Sequence, residues 1–388
     1  MYIKRNITEH LKKMASQFPV ISLTGPRQSG KTTLLKNEFQ SYKYFNLERV
    51  DYREMIMEDP VGFLKQTGPN VIIDEAQKLP ELFSYIQVIS DERNLPGQYI
   101  LSGSQSFLLS ERISQSLAGR VNINHLYPFD LLEVGRAKID KPASFILNGF
   151  YPRLHEQNIS AGDFYPSYLQ TYIERDIRTL KNIGDLQAFT RFLGLCAGRI
   201  GQPVNLSSLA NDAGISVNTA KSWVSLLESS FIIYLLQPFY KNFNKRMIKA
   251  PKLFFYDTGV AASLLRITDI DMLFNHYLYG SLFENLIISE IIKTQVHKGN
   301  KPSVWYWRES NGVEIDCIIE IGGKSIALEI KSGQTFTSEY LKNLKKFANS
   351  EQQKEFEKKV IYAGDKTGMM GDIELFNWEQ FPDFLKKL

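Results

Sequence analysis

The chain has 388 residues, 43% apolar and 23% charged, an ordinary balance for a globular protein and enough length for two or three domains. Two distant cysteines, Cys196 and Cys317, and five unclustered histidines argue against a disulfide framework or a zinc site and suit a reducing compartment. No apolar run approaches membrane-spanning length, and the charged stretch from Met1 to Lys13 lacks the apolar core of a signal peptide, so the expected setting is cytoplasmic, with no membrane partner. A net charge of +4 is too mild to identify a nucleic-acid binder, which must be argued from where the charge sits.

A short helix-like stretch leads into Val20-Ile21-Ser22-Leu23, an apolar run that predicts a buried strand. Directly after it, Gly25-Pro26-Arg27-Gln28-Ser29-Gly30-Lys31-Thr32-Thr33 fits the phosphate-loop pattern, with Gly25, Gly30, Lys31 and Thr32 at the required positions. The two glycines let the backbone curl so that its N–H groups face a triphosphate, and the following helix adds its positive end. Lys31 is expected on the β- and γ-phosphates and the Thr32 hydroxyl on Mg²⁺. A second strand is predicted at Tyr44-Phe45-Asn46-Leu47. The third, Val71-Ile72-Ile73-Asp74-Glu75, ends in two carboxylates: Asp74 to hold Mg²⁺, Glu75 to orient or deprotonate the attacking water. The strand Gln98 to Ser104 offers Ser104 as a γ-phosphate or water sensor, with Gln105 in reserve. Arg120, ahead of a strand over 121–126, is a candidate for charge on the transferred phosphoryl group, with surface pairing to a carboxylate as the stronger alternative.

After an aromatic-rich connection from Pro128 to Pro166, Tyr168, Leu169, Tyr172, Ile173, Ile177 and Leu180 fall at helical spacing. Leu206 to Gly214 predicts a short helix ended by glycine. Ser216 then caps a second helix, with Val217, Ala220, Val224 and Leu227 at core spacing, which together make a helix-turn-helix. Strands at Phe231 to Leu236 and Lys252 to Tyr256 flank a wing carrying Lys241, Lys245, Arg246, Lys249 and Lys252. A basic wing suits DNA phosphates. The second helix carries only Lys221 as a cation, beside Glu228, so protein docking stays open as an alternative.

Near the C-terminus a helix over 281–292 carries Glu284, and two alternating strands, Val313 to Ile318 and Lys324 to Lys331, are joined through Gly322-Gly323, a two-residue hairpin turn. Counting back from Ile321 opposite Lys324 sets Asp316 opposite Glu329. Period two then gathers Glu314, Asp316, Glu329 and Lys331 on one face, with Val313, Ile315, Cys317, Ile326, Leu328 and Ile330 on the other. Two facing carboxylates repel unless a cation lies between them. Asp316 and Glu329 are therefore expected to hold Mg²⁺ or Mn²⁺, with Lys331 orienting a bound water and Glu284 completing a catalytic set for phosphodiester cleavage.

The residues Leu23 to Thr32, Ile73-Asp74-Glu75-Ala76-Gln77, Ser102-Gly103-Ser104, Leu117-Ala118-Gly119-Arg120 and Tyr168 to Asp176 resemble a large group of bacterial and archaeal AAA-type ATPases with a C-terminal domain of unknown function. The order Glu…Asp…Glu-x-Lys resembles the PD-(D/E)xK phosphodiesterases, although Ile315 stands where their signature has proline. These resemblances imply an α/β chain: an AAA-type P-loop NTPase with a parallel sheet, then a helical and winged-helix middle, then a restriction-endonuclease-like α/β part. The expected boundaries are 1–130, 131–185, 186–265 and 266–388. The functional expectation is an ATP-hydrolysing protein, with ATP and Mg²⁺ as cofactors, that couples nucleotide state to DNA binding or cleavage. The alternative is a regulatory ATPase whose C-terminal part only docks a partner; homo-oligomer formation and adenine or guanine preference are left open.

Overall fold

The computed structural model describes residues 2–104, 116–135, 141–157, 159–172, 185–239, 250–309, 312–348 and 355–388. The chain divides into two units: Met1–Phe129 with Ser229–Phe231 and Val296–Asn300, and Asp130–Glu228 with Ile232–Gln295 and Lys301–Leu388. The first break falls next to the boundary expected at 130. The three later parts cluster as one unit.

In the first unit β1 (Val20–Thr24), β2 (Lys43–Asn46), β3 (Val71–Asp74), β4 (Tyr99–Gly103) and β5 (Val121–His125) form a parallel sheet in the order β2-β3-β4-β1-β5. Every residue of β1, β3 and β4 is buried, which is why these strands read as largely apolar and do not alternate with charged residues. Alternate side chains enter two cores. Ile21, Leu23, Ile72 and Ile100 pack with Leu11 of α1 (Thr8–Ala15) and Leu34 and Leu35 of α2 (Lys31–Glu38). Val20, Val71, Ile73 and Leu101 pack with Ile56 of α3 (Val50–Glu58), Leu64 of α4 (Pro60–Thr67) and Phe83 and Ile86 of α5 (Leu82–Arg93). Because β1 lies between β4 and β5, the chain must cross over at its end, and a crevice opens beyond the carboxyl ends of the central strands.

The second unit begins with α6 (Leu131–Val134), α7 (Pro142–Asn148), α8 (Pro152–Glu156) and α9 (Ala161–Tyr172). Tyr168, Leu169 and Tyr172 are buried; Ile173, Ile177 and Leu180 lie outside the described residues. After α10 (Leu186–Ala197), the helix-turn-helix consists of α11 (Leu206–Ala213) and α12 (Val217–Ser229). Gly214 between them has φ 70°, a left-handed conformation that glycine adopts without strain. The Ser216 hydroxyl accepts from the Thr219 N–H at 3.0 Å, capping α12. Ala220, Val224 and Leu227 are core residues as their spacing requires, but Val217 is 45% exposed, and Trp223 and Leu226 are buried in addition.

β6 (Ile233–Leu236) and β7 (Lys252–Phe255) pair antiparallel. Phe231 is not part of the strand, since its φ of 59° turns the chain. Lys241, Lys245, Arg246 and Lys249 lie outside the described residues. Lys252 belongs to β7, and its 3% exposure removes it from the basic wing: its side chain points into the protein, not toward a nucleic acid.

After α13 (Thr258–Leu264) and α14 (Ile270–Asn275), α15 (Tyr279–His297) runs for 19 residues. β8 (Val304–Arg308), β9 (Glu314–Ile321), β10 (Lys324–Lys331), β11 (Glu357–Tyr362), β12 (Gly368–Met370) and β13 (Ile373–Asn377) form a mixed sheet in the order β12-β13-β11-β10-β9-β8, with α16 (Lys342–Ala348) between β10 and β11 and α17 (Phe381–Lys387) after β13. Gly322 and Gly323 have φ of 56° and 77°, as a two-residue hairpin requires, and β9 and β10 pair from Ile321↔Lys324 to Cys317↔Leu328.

Strict alternation does not survive along β9. Its partner β8 pairs Trp305 with Ile318 but Trp307 with Ile315, so β9 carries one extra residue between these points, a bulge spanning Asp316 and Cys317. Ile315 and Ile318 consequently join one core with Ala327, Val360, Leu344 and Phe347, instead of pointing to opposite sides. Neither is the carboxylate face a solvated one. Glu329 pairs beside Val360 on this packed side and has no exposure.

Candidate functional site

The phosphate loop closes the carboxyl end of β1. At Gly25 a β-carbon would come within 2.1 Å of the Leu126 carbonyl oxygen, so the loop can hug the end of β5 only because that position lacks a side chain. Gly30, at φ 95°, turns the chain into α2. Lys31 is buried and its ammonium donates to the Gly25 and Pro26 carbonyls, 2.9 Å each. It lies folded along the loop it is expected to serve.

Asp74 ends β3, one strand removed from β1. Its carboxylate accepts from the Thr32 hydroxyl at 2.6 Å, the Tyr44 hydroxyl at 2.6 Å, the Ser102 hydroxyl and the Glu75 N–H at 3.1 Å. Thr32 and Asp74, distant in sequence, are thus brought into contact by the strand order. Burial and the Asp74 carboxylate together raise the Tyr44 phenol well above its ordinary range, so this hydroxyl stays a donor. Glu75 sits at φ 54°, an uncommon conformation for a non-glycine residue and one that recurs at functional sites. Gln77 Nε2 and the Ser104 hydroxyl donate to its Oε2 at 2.6 and 3.3 Å. Ser104 therefore does stand beside Glu75, whereas Gln105 lies outside the described residues.

Arg120 does not reach this site. Its guanidinium forks onto Asp91, and its carbonyl accepts from the Val20 N–H at the opposite, amino end of β1. The length of β1, five residues at about 3.3 Å each, separates it from the loop of the same chain, so within this chain the surface-pair reading holds and Arg120 makes no phosphoryl contact at its own loop.

In the second unit the expected carboxylates do converge, with an unexpected cation among them. Lys331 lies 3.0 Å from Asp316 and in contact with Glu329. The Ile330 N–H donates to Asp316 at 2.8 Å. Glu284, from α15, lies 3.1 Å from Lys252, whose ammonium also contacts Glu314. Burial pushes the Glu284 carboxyl up to about 7 against the pull of Lys252, and raises Glu329 well above the carboxylate range, helped by Asp316. Burial alone would raise Asp316 too, but Lys331, Lys252 and the Ile330 N–H outweigh it and hold that carboxyl low. Lys252 and Lys331 stay charged, since their carboxylates overcome the cost of burial. Glu284 thus joins the cluster through Lys252, and the Asp316 carboxylate helps to raise it.

Sequence reasoning does not single out Tyr44 or Ser102, and it places Lys252 on the wing instead of in this cluster. Tyr44 and Ser102 lie on predicted strands, and neither residue type marks a strand-end contact to a carboxylate. Lys252 has basic neighbours in sequence, and nothing local tells a buried lysine from a solvated one.

Residues 17–135 match the model of the AAA domain. Residues 140–271 and 279–381 match two domains of unknown function, DUF8612 and DUF4143. The chain is 28% identical over 336 residues to an uncharacterized protein of Mycobacterium tuberculosis, covering 86% of this chain and 74% of that one. It is 24% identical over 215 residues to an uncharacterized protein of Methanocaldococcus jannaschii, covering 55% and 42%. Among solved structures it is similar to a Walker-type ATPase of Pyrococcus abyssi, at 16% identity and a TM-score of 0.46 over 67% of this chain and 95% of that one. Similarity to AMPPCP-bound DnaA from Aquifex aeolicus is weaker, at 16% identity and a TM-score of 0.29 over 57% and 85%. The AAA match and the parallel sheet support a P-loop ATPase part that binds and hydrolyses nucleotide. Among the described residues, no helix is long and apolar enough to cross a membrane.

Proposed function

We propose that this protein binds and hydrolyses ATP with Mg²⁺ at the crevice beyond β1 and β3, and uses the nucleotide cycle to control engagement of DNA by its second unit. The observation that carries the first half is the convergence of Thr32, Tyr44 and Ser102 on Asp74 beside the loop that holds Lys31. A hydroxyl and a carboxylate are the hard oxygen donors that suit Mg²⁺, and the ion would supply charge neutralisation on the phosphates. Lys31 swings from the loop carbonyls to the β- and γ-phosphates. Glu75, held by Gln77 and Ser104, orients and deprotonates the attacking water. Lys31→Ala should weaken nucleotide binding, while Glu75→Gln should keep binding and lose turnover. Equal turnover by Glu75→Gln and the parent chain would remove Glu75 from this role.

For the second unit we propose a winged-helix contact to DNA and a nuclease-like site in which Asp316 and Glu329 hold one divalent ion, Mg²⁺ or Mn²⁺, near Lys331. Glu329 retains a buried Oε1 without a hydrogen-bond partner, which fits a cation at this end of the cluster; the Glu284 end is filled by Lys252. The test is plasmid DNA with and without ATP, in Mg²⁺ and then Mn²⁺, with ion binding measured in parallel. Asp316→Asn or Glu329→Gln should abolish metal binding and any nicking while the ATPase persists. A second reading, in which this unit docks a partner without cutting it, is favoured by the two lysines that already neutralise the cluster. Ion binding with no cleavage under any condition would select it.

A further inference from the structure

Arg5 precedes α1 in sequence and is 3% exposed. Its guanidinium reaches across the first unit: one terminal nitrogen donates to the Ser29 carbonyl at 2.7 Å and the other to the Tyr127 carbonyl at 2.8 Å, while its carbon lies 4.8 Å from the centre of the Phe129 ring. A residue from the start of the chain therefore ties the phosphate loop to the segment leaving β5. Within the planar Ser29–Gly30 peptide the C=O and N–H point in opposite directions. Holding the Ser29 carbonyl toward Arg5 aims the Gly30 N–H away from it, fixing one of the donors on which a phosphate depends.

Tyr127, at the other end of the fork, is itself a meeting point. Its N–H donates to His297 Nε2 at 3.3 Å, and its ring centre lies 6.2 Å from that imidazole and 5.7 Å from Phe231. Phe231 also packs on His125 at 5.4 Å, and the Nδ1 of His125 lies 2.7 Å from the hydroxyl of Thr24, the residue before Gly25. Gly299 adds a contact so close to His10 that a β-carbon there would fall 2.1 Å from the ring nitrogen. The two short outlying segments of the first unit, Ser229–Phe231 and Val296–Asn300, thus rest on His125 and Tyr127, which are linked to the phosphate loop through Thr24 and Arg5 respectively.

We propose that Arg5 is a positioning residue for nucleotide binding: it sets the loop through Ser29 and transmits the loop's occupancy through Tyr127 to the segments bearing Phe231 and His297. The assignment rests on the reading of this loop as an ATP site. Arginine suits the task because one rigid planar fork spans two carbonyls, which the single ammonium of lysine cannot reproduce.

The test uses the full chain and a fluorescent ATP analogue. Arg5→Met should raise the Kd about tenfold or more, Arg5→Lys should fall between, and kcat per folded molecule should change less than Kd. A purely structural role would lower the folded fraction, seen by circular dichroism, and leave Kd unchanged. Amide exchange at residues 229–231 and 296–300 should respond to saturating nucleotide in the parent chain and stop responding in Arg5→Met; should that variant fail to fold, Arg5→Lys carries both measurements. A Kd within twofold of the parent overturns the positioning role, and a preserved exchange response overturns the link to Phe231 and His297. Lys31→Ala in the same assay reports on the ATP site itself: if Lys31→Ala leaves Kd unmoved, the loop reading fails, whatever Arg5 does.

Discussion

Replacing Lys252 by methionine keeps most of the aliphatic bulk but deletes an ammonium enclosed by carboxylates. At 3.1 Å from Glu284 and an effective dielectric near 20, the attraction to that group alone is about 5 kcal/mol; Glu314 adds to it, and the desolvation of all three charges opposes it. Removing one member of a buried pair leaves its partner uncompensated, a loss of about 3–5 kcal/mol. Lys252→Met should therefore lower the urea midpoint of the second unit's transition, followed by tryptophan fluorescence, with little change in the slope. The double variant Lys252→Met, Glu284→Gln, which removes both charges, should recover part of the loss. The single variant should also leave the salt dependence of any DNA affinity unchanged, since a buried cation releases no counterions. A loss under about 1 kcal/mol, a value ordinary for exposed pairs, would refute the reasoning.

Tyr44→Phe and Ser102→Ala each remove one donor from Asp74 and should weaken Mg²⁺-dependent nucleotide turnover several-fold, on the scale of about 0.5–1.5 kcal/mol per hydrogen bond; an unchanged Mg²⁺ dependence in both would dismiss the network. Burial pushes the His125 imidazole down to about 4. The folded chain then binds fewer protons than the unfolded one, so this group's contribution is fully present above its ordinary value near 6.5 and is lost as pH falls toward 4. His125→Gln should flatten acid unfolding of the first unit in that window, and an unaltered profile would argue against it. Replacing Lys245, Arg246 and Lys249 together with alanine should lower DNA affinity and its salt slope if the wing touches phosphates; an unchanged slope would favour protein docking.

The phosphate-loop site of the first unit is legible because its chemistry is local. Gly25, Gly30, Lys31 and Thr32 follow one another within a single loop, and Asp74-Glu75 follow directly on an apolar run. Whether Thr32 meets Asp74, however, depends on β4 lying between β1 and β3, which no local pattern states. The C-terminal hairpin shows the limit from the other side. Gly322-Gly323 sets the register correctly, but one extra residue near Asp316 changes which side chains share a face, and the β8 partner that creates the bulge is remote from the counting. The place of Lys252 is hidden for the same reason: its neighbours in sequence are basic, while Glu284 and Glu314, which pair with it, lie 32 and 62 residues away.

The make-up of the first unit has a consequence for how the protein is made. Its sheet is complete once β5 has emerged from the ribosome, yet the segments that rest on His125, Tyr127 and His10 follow only with Phe231 and Asn300. At about 5–20 residues per second, the roughly 170 residues between Phe129 and Asn300 take about 10–30 s to synthesise. During that interval the nascent ATPase sheet carries two aromatic rings and a glycine-shaped niche without their covers. A fragment ending at Phe129 would stay in that state permanently, exposing an apolar patch beside its nucleotide loop, whereas one ending past Asn300 contains every stretch from which the unit is assembled.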